Sequence, residues 1–168
     1  MRAGIALGSN LGDRLGHLRE ARRAISHLAS VHEPVKASRI YETAPVNLEP
    51  GASAFLNAVI EVEYNDQPIV LLDDLQTIEG RMGRPSKRPR NASRIIDLDI
   101  LYVGNLVLSN DEVVIPHSRL VHRQFVLMPL ADIRPDLVLP GQERSIAELL
   151  AKVRDGGGVD VFANQWEV

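Results

Sequence analysis

The chain has 168 residues, a formal net charge of -3 at pH 7, 45% hydrophobic residues and no cysteine. This length can bury one sizeable core, so we predict a single domain over residues 1–168, and the near-balanced charge argues against a general nucleic-acid binder. The missing cysteines exclude disulfides and thiolate chemistry, and the absence of a signal peptide or of about 20 consecutive apolar residues predicts a cytoplasmic protein with no membrane span.

The first third of the chain begins with an apolar run and continues into an amphipathic segment. Residues 3–7 predict a buried strand that ends in a polar turn. Apolar residues then recur every three or four positions from residue 11 to about residue 29, which predicts a helix. Residues 35–43 alternate only loosely, and residues 47–53 are rich in turn formers and predict a mobile loop.

The middle of the chain carries the strongest periodic signals. Residues 55–64 alternate with period two, which predicts a half-buried strand, and residues 68–82 have the spacing of a helix. A polar loop covers residues 85–93. A strongly apolar strand follows at residues 95–103, and a Gly-Asn turn predicts that residues 106–108 pair with it as a hairpin.

The predicted order of elements is therefore β-α-β-β-α-β. This order indicates an α+β fold with a ferredoxin-like core at about residues 1–133, in which two helices cover one face of an antiparallel sheet. A C-terminal extension, about residues 134–168, completes the chain. We predict short helices at residues 123–132 and 145–153, a weakly ordered tail at residues 159–168, and no second core.

Asp97 and Asp99 form the sharpest chemical feature because they lie inside an apolar strand, where unpaired carboxylates are costly. Residues two apart point to the same side of a strand, so the two carboxylates stand side by side and suit a pair of magnesium ions bound to a triphosphate. The alternative is a solvated edge-strand face, or carboxylates that are paired with arginines.

A basic segment directly precedes the acidic pair. Residues 84–94 hold five cations and two prolines, with Arg84 and Arg94 at the two ends, and they suit a loop that closes over phosphate oxygens. The alternative is a solvated loop or a patch for nucleic acid. After the hairpin, His117 and Arg123 lie in a turn-rich stretch and are candidates for contacts with a phosphate or ribose.

Other polar and aromatic residues predict a pocket for a flat molecule. Asn57 offers a donor and an acceptor to a heterocycle edge, and Phe55 and Phe125 can stack on a ring. The alternative is that Phe55 belongs to the core and that Asn57 is a polar residue at the end of the strand. Gln76 and Glu79 share a helix face towards the basic segment, although a solvated helix surface explains them equally well. The segment at residues 8–14 lacks the GxxxxGK[ST] phosphate loop and is read as a turn at the pocket floor.

Taken together, the motifs resemble the 6-hydroxymethyl-7,8-dihydropterin pyrophosphokinase family of folate synthesis. The resemblance extends from Ala6 to about Ile133, and its Arg-x-x-Asp-x-Asp-Ile-Leu and Pro-His elements are specific. The motifs that carry it are ALGSNLG at 6–12, YETAP at 41–45, FLNAV at 55–59, RIIDLDIL at 94–101 and IPHSR at 115–119.

The resemblance implies transfer of the terminal diphosphate of ATP to the pterin hydroxymethyl oxygen, with release of AMP and with two Mg²⁺ ions. It also implies a monomer whose partners are these small molecules. Asp97 and Asp99 are the implied metal ligands, and Arg84 and Arg94 neutralise charge on the transferred group. The implied nucleotide contacts are Gln76, Glu79, Arg84, Arg94, Ile100, His117 and Arg123. The implied pterin pocket is Thr43, Pro45, Val46, Phe55, Asn57 and Phe125.

The chain departs from the family pattern at several positions. Asn91 stands where members often carry a loop tryptophan, Ser86 replaces an arginine of some members, and Ser118 replaces a frequent tyrosine. These changes put loop stacking and loop closure in doubt but leave the metal pair intact.

Two rival functions remain open. A nucleotidyltransferase also uses paired aspartates and two metals, but it transfers the nucleotide and releases pyrophosphate. An RNA or effector-binding module would use the basic loop on phosphates and would show strongly salt-dependent binding. The aspartates within a buried strand, and the absence of a strand with paired aromatics, count against this binding module.

Overall fold

A computed structural model of the chain describes residues 1–45, 50–83, 93–154 and 158–167. The first strand, β1 (Arg2–Ser9), buries Ala3, Ile5 and Leu7 on one side of the sheet. Alternate side chains of a strand point to opposite faces, and Gly4 and Gly8 on the other face of β1 are buried too. Strand β1 therefore starts the sheet as the sequence predicts.

The first helix, α1 (Arg14–Ser26), begins later than the predicted residue 11. Asp13 is its N-cap, and the Asp13 carboxylate accepts a hydrogen bond of 3.1 Å from the Gly16 backbone N–H. Such a cap satisfies a backbone donor that has no partner within the helix and so fixes where the helix starts. Gly12 has φ +65°, a left-handed conformation that favours glycine and turns the chain into the cap.

The loosely alternating segment of the sequence contains two strands. They are β2 (Val31–Ala37) and β3 (Ile40–Thr43), and both pair with β4 (Phe55–Tyr64). The break between them lies at Ser38, whose hydroxyl accepts a hydrogen bond of 2.9 Å from the Val59 N–H. This side-chain bond replaces part of the strand ladder at the break.

Helix α2 (Pro68–Arg81) and strand β5 (Asp97–Val103) follow. Pro68 occupies the first turn of α2, where a missing N–H costs nothing, and Gly83 has φ +94° just beyond the end of the helix. Both elements lie within two residues of their predicted bounds, because strong periodicity and turn residues coincide there.

The main sheet has the strand order β5-β1-β4-β3-β8, and β2 also pairs with β4. Each of these pairs is antiparallel. The predicted mixed class, with an antiparallel sheet and helices, is therefore confirmed. Strands β1 and β4 are central in the sheet, and β5 lies at one edge.

The predicted hairpin partner of β5 is wrong. Strand β6 (Leu108–Ser109) pairs instead with β7 (Val114–Ile115) in a small separate sheet. At the end of β5 the Gly104 N–H donates to the Arg2 carbonyl at 2.7 Å, so the chain stays beside β1 and then turns away. The Leu101 carbonyl accepts a hydrogen bond of 2.9 Å from the His117 N–H, which brings His117 to β5.

The C-terminal part contains a 3-10 helix (Leu120–His122), α3 (Gln124–Ile133) and α4 (Ile146–Lys152). Both predicted C-terminal helices are present, and α4 starts with a capping box of Ser145 and Glu148. Within the described parts of the chain, no helix combines the length and the apolar composition needed to span a bilayer.

The predicted weakly ordered tail is also wrong. It forms β8 (Val159–Ala163), which pairs with β3, and it ends near the buried Trp166. The Trp166 indole N–H donates to the Ser38 carbonyl at 2.7 Å, and the Arg22 guanidinium lies 5.0 Å from the ring centre. Backbone pairing with β3 and the packing of the Trp166 ring therefore hold this segment in place.

The sheet is covered on both faces, which corrects the prediction of no second core. On one face α1 and α2 pack on Ile5, Leu7 and Ile60. On the other face α3 and α4 pack on a second apolar cluster that includes Val59 and Leu101. Strand β4 is therefore buried on both sides rather than half-buried.

A buried polar network lies under α3. The Tyr102 hydroxyl donates a hydrogen bond of 2.6 Å to Glu61, which is 3% exposed, and Arg134 lies 3.7 Å from the same carboxylate. The ring of Tyr102 lies over Gly4, where a Cβ atom would meet it at 2.3 Å. Position 4 on β1 requires glycine, because a side chain there and the Tyr102 ring cannot occupy the same space.

Candidate active site

Asp97 and Asp99 project from the same face of β5. Both are partly exposed, whereas Leu98 between them is buried in the first cluster. Asp97 lies opposite Gly8 and Asp99 opposite Ala6 on the neighbouring strand β1. The two carboxylates therefore stand side by side above residues with little or no side chain, as the period-two pattern predicts.

Arg94 lies against the acidic pair. Its Nη1 atom is 3.0 Å from Oδ2 of Asp97, and each side chain is 23% exposed. The Arg94 Nε atom is buried and has no hydrogen-bond partner among the described residues. Arg84, the other predicted basic residue, lies outside the described residues, as do the departures from the family pattern at Ser86 and Asn91.

Further positive charge comes from the start of α3. Burial lowers the pKa of Arg123, and the nearby Arg119 lowers it further, whereas Asp99 and Asp97 act in the opposite direction. A guanidinium remains protonated at neutral pH despite such a shift. Arg123 therefore adds a partly desolvated cation whose charge acts on both carboxylates, although it lies far from Arg94 in sequence.

His117 lies at the same end of the site and is half-buried. Its Nδ1 atom accepts a hydrogen bond of 3.1 Å from the Arg119 backbone N–H. Burial, followed by the charges of Arg123 and Arg119, lowers the pKa of His117 below its usual range, and Asp97 only partly offsets this effect. The ring is therefore neutral at pH 7, and the hydrogen bond to Nδ1 assigns the proton to Nε2 as a donor.

A cleft of about 260 Å³ runs along the outer edge of β5. Its walls come from α2, from β5 and from the segment that contains β7. The lining residues are Leu72, Leu98, Asp99, Ile100, Glu112, Val113, Val114, His117 and Ser118. Three residues of the predicted site, Asp99, Ile100 and His117, thus line one cleft.

The residues predicted to bind the flat substrate lie on the other side of the acidic pair. Asn57 on β4 and Asp97 on β5 both lie opposite Gly8, one from each side. The Asn57 Nδ2 donates to the Thr43 hydroxyl at 2.9 Å, which fixes the orientation of the amide. Gly8 has no side chain, and the Asn57 Oδ1 atom would lie 3.0 Å from a Cβ atom there, so the Asn57 amide lies over Gly8 on the side of the sheet that carries Asp97.

The two aromatic residues predicted for the flat substrate have different neighbours. Phe55 starts β4, and its Cδ1 atom would lie 3.8 Å from a Cβ atom at Gly8. Phe125 lies in the first turn of α3, and the Arg123 guanidinium is 5.5 Å from its ring centre. One ring therefore already has a cation beside it, a contact that the sequence did not predict. Pro45 is exposed near the end of β3, and Val46 lies outside the described residues.

The two predicted contacts on α2 have different environments. Gln76 is exposed, whereas Glu79 is 8% exposed and its Oε2 atom accepts a hydrogen bond of 2.9 Å from the Leu98 N–H. Glu79 thus satisfies a backbone donor at the start of β5, next to the acidic pair. Its assignment as a nucleotide contact stays a prediction.

Asn10 is a site residue that sequence reasoning did not single out. It is fully buried, and its side chain bonds to Ser53, Ser93 and the backbone of Arg94. These contacts join segments more than 40 positions apart in sequence, which no local pattern can reveal. The only signal was the polar Gly-Ser-Asn turn at the end of an apolar strand.

The donor atoms at the site suit a hard cation. Two carboxylates from one strand provide oxygen ligands, which Mg²⁺ prefers, and Mg²⁺ commonly takes its remaining ligands from water and phosphate. Across the described ranges, no group of three or more His, Asp or Glu side chains is placed to hold a metal ion by itself. The donor set therefore fits a metal that arrives with a phosphate ligand rather than one held in a closed protein cage.

Comparison with known proteins identifies one family. The sequence profile of the 7,8-dihydro-6-hydroxymethylpterin-pyrophosphokinase family matches residues 4–135. A Haemophilus influenzae protein named 2-amino-4-hydroxy-6-hydroxymethyldihydropteridine pyrophosphokinase is 40% identical over 151 residues, which is 90% of this chain and 92% of that protein. Proteins of the same name from Bacillus subtilis and Methylorubrum extorquens are 42% identical over 129 residues and 37% identical over 158 residues. These two matches cover 77% and 93% of this chain, and 75% and 96% of the relatives.

Solved structures share the fold. The wild-type HPPK-DHPS protein of Plasmodium falciparum superposes with a TM-score of 0.68 at 17% identity, over 90% of this chain and 44% of that one. An HPPK-DHPS structure in complex with substrates gives 0.68 at 16% identity, over 89% of this chain and 43% of that one. The chain thus corresponds to less than half of these longer proteins, and at such identity the likeness concerns the fold alone.

Proposed function

The chain belongs to the 7,8-dihydro-6-hydroxymethylpterin-pyrophosphokinase family, and from this premise we propose that it transfers diphosphate from ATP to the hydroxymethyl group of 6-hydroxymethyl-7,8-dihydropterin. The products are AMP and the pterin diphosphate, an intermediate of folate synthesis. The observation that carries the proposal is that Asp97 lies across Gly8 from Asn57, while Asp99 on the same strand face lines the cleft that contains His117.

We place the pterin against Asn57, on the sheet face that carries Asp97. Asn57 retains an acceptor and one N–H after its bond to Thr43, so it can pair with the amide-like edge of the ring. Phe55 and Phe125 border the ring faces, and Pro45 and Val46 complete the pocket in the proposal. This position brings the hydroxymethyl group towards Asp97, which lies across Gly8 from Asn57.

The nucleotide enters the cleft beside β5. Ligand pockets usually measure about 300–1,000 Å³, so a cleft of about 260 Å³ accommodates part of the nucleotide and leaves the phosphates over β5. Ile100 provides an apolar wall and His117 a neutral N–H donor. We place Gln76 and Glu79 near the nucleotide from the α2 side.

Asp97 and Asp99 are the proposed ligands of two Mg²⁺ ions, which when bound would supply positive charge to the phosphate oxygens. Arg94, Arg123 and Arg84 add fixed positive charge, and their task is to stabilise the charge that develops on the transferred group. The hydroxymethyl oxygen forms a bond to the β-phosphorus, the bond from that phosphorus to the oxygen shared with the α-phosphorus breaks, and AMP leaves with that oxygen. The hydroxyl proton is released. Positioning and electrostatics account for the rate, without a covalent intermediate.

We also propose that the core keeps the ferredoxin-like βαββαβ arrangement. The order β5-β1-β4-β3 supports this assignment, because the last strand of the motif lies beside the first and the two inner strands are its first and third. Helices α1 and α2 share one face of the sheet. The second layer of helices and β8 are then additions to this core.

The decisive experiment follows ATP in the presence of Mg²⁺ and the hydroxymethyl-dihydropterin. The wild-type chain should produce AMP and pterin diphosphate. Asp97→Asn and Asp99→Asn should each lose at least about 100-fold in turnover, a loss typical of removing a preorganised electrostatic contact. Asp73→Asn, an exposed change on α2, is the control and should retain full activity. Circular dichroism should show that all three variants fold.

The same assay separates the rival functions. Release of pyrophosphate together with an adenylylated pterin would support a nucleotidyltransferase instead. A chain that makes neither product, and that binds RNA with a steep dependence on salt, would support the binding module.

A further inference from the structure

We propose that Asn10 is a positioning residue for the transfer reaction, and that it acts by holding the backbone of Arg94 so that the Arg94 guanidinium stays on Asp97. This inference rests on the proposed function of Asp97. It gives a role to a residue at the end of β1 that contacts neither proposed substrate.

Asn10 holds Arg94 at two points. The Asn10 backbone N–H donates to the Arg94 carbonyl at 3.0 Å, and the Asn10 Oδ1 atom accepts from the Arg94 N–H at 2.5 Å. One residue therefore satisfies both the donor and the acceptor of the Arg94 peptide groups. Two bonds from a single fully buried residue fix the path of the chain as it enters β5.

The position of the Arg94 side chain depends on these two hydrogen bonds between Asn10 and the Arg94 backbone. Its contact with Asp97 runs through a single nitrogen at 3.0 Å, and its Nε atom has no partner within the described parts of the chain. A partly exposed ion pair contributes little by itself to fixing a long side chain. The position of the guanidinium is therefore set mainly by where the Arg94 Cα lies, and Asn10 sets that point.

The Asn10 amide also joins two polypeptide segments at the site. Its Nδ2 atom donates to Ser93 Oγ at 3.2 Å and to the Ser53 carbonyl at 3.4 Å. Ser93 precedes Arg94, and Ser53 lies two residues before the proposed pocket residue Phe55. An alanine at position 10 would leave the Arg94 N–H and the Ser53 carbonyl without this partner, and unsatisfied buried groups favour rearrangement.

A purely structural role makes different predictions from a positioning role. Loss of a buried hydrogen-bonding side chain lowers stability in both cases. Only a positioning role also lowers turnover at unchanged substrate affinity, because an interaction used in the transition state has been misplaced. A positioning role also predicts that loss of the Asn10 side chain loosens the backbone at Arg94, and this change can be measured without any substrate.

The experiment compares Asn10→Ala with Ser93→Ala and Tyr64→Phe in the full-length chain. Ser93→Ala removes one partner of the amide but leaves the hold on Arg94 intact. Tyr64→Phe removes the hydrogen bond of 3.0 Å to the Gln67 carbonyl, at the opposite end of β4, and provides a control for lost stability. We expect Asn10→Ala to lower kcat by about 10- to 100-fold with little change in either KM, the loss expected from misplacing a catalytic group. Both controls should retain kcat.

Limited digestion with trypsin provides a second readout. Under single-hit conditions, mass spectrometry should show faster cleavage after Arg94 in Asn10→Ala than in Tyr64→Phe or in the wild type. If Asn10→Ala keeps its kcat and its cleavage pattern while losing only stability, the role is structural and the inference fails. An equal fall of kcat in Ser93→Ala would also overturn it. A wild-type chain that makes no AMP would instead refute the proposed function. The digestion would still show whether Asn10 fixes the backbone at Arg94.

Discussion

At the scale of single residues, His117 connects the site with the pH dependence of stability. Burial and two neighbouring guanidinium groups lower the pKa of its ring in the folded chain. In the unfolded chain the ring has its ordinary pKa of about 6.5. As the pH falls through this value, the unfolded chain takes up a proton before the folded chain does, so the folded state loses stability.

We therefore predict that the wild-type chain loses more free energy of unfolding between pH 7.5 and pH 5.5 than His117→Asn does. Asparagine can still accept the Arg119 N–H but does not titrate. Urea unfolding at both pH values, with EDTA to exclude metals, measures the difference. If the two proteins lose the same free energy of unfolding, the pKa of His117 is not lowered in the folded state.

Gly4 provides a prediction about packing. A methyl group at this position would lie 2.3 Å from the Tyr102 ring, and that ring is held by its hydrogen bond to Glu61. Gly4→Ala should therefore lower the free energy of unfolding by about 1–3 kcal/mol or more through overpacking. Gly80→Ala is the matched control, because a Cβ atom there meets nothing within 4 Å in helix α2. It should stabilise the chain by about 0.5–1 kcal/mol in urea unfolding.

The sequence identified some site residues and missed others for a physical reason. Asp97 and Asp99 stood out because two charges in an apolar strand are conspicuous locally. Asn10 and the Arg123–Phe125 contact did not stand out, because the first acts through segments distant in sequence and the second depends on how α3 begins. The roles assigned to the individual site residues remain predictions.

At the scale of elements, the sequence predicted those whose signals are local. Helix α2 and strand β4 combine strong periodicity with clear turn residues, and both were placed within about two residues. The hairpin partner of β5 and the C-terminal strand β8 were missed. Strand β6 pairs with the nearby β7 instead of β5, and both are only two residues long, so they give little periodic signal. Strand β8 pairs with the distant β3 and follows a run of glycines that lowers its local strand signal.

Trp166 tests whether β8 is anchored as described. Trp166→Ala removes a buried ring and its hydrogen bond to Ser38, so the free energy of unfolding should fall by about 3–5 kcal/mol. Trp166→Phe keeps the ring beside Arg22 and loses mainly the hydrogen bond, so it should cost about 1–2 kcal/mol. Urea unfolding followed by circular dichroism measures both. If Trp166→Ala lowers the free energy of unfolding by less than Trp166→Phe does, the Trp166 ring does not anchor β8.

At the scale of the whole molecule, one sheet separates two apolar clusters. Strands β1 and β4 take part in both, because alternate side chains point to opposite faces. The sequence suggested the order of the core elements but not the second layer, because α3 and α4 have short apolar stretches that do not indicate which face they cover. The alternation in the sequence of β4 predicted one buried face, whereas both faces of the strand are buried.

Because the clusters share two central strands, we predict that they unfold together. Ile25→Ala in the first cluster and Leu127→Ala in the second each remove a fully buried side chain, at a cost of about 2–5 kcal/mol. In both variants, Trp166 fluorescence and circular dichroism should report one coincident transition with an unchanged denaturant slope. If Leu127→Ala shifts only the circular dichroism curve, the second cluster is an independent unit.

The two glycines of β1 that lie on the face of α3 differ in what fills the space above them. Tyr102 covers Gly4, whereas Gly8 faces the site, and a Cβ atom there would come within 3.0 Å of the Asn57 amide oxygen. Inherited variants at the two positions should therefore have different phenotypes. Replacement of Gly4 should reduce the amount of protein in the cell, whereas replacement of Gly8 should yield a normal amount of protein that no longer supports growth without added folate.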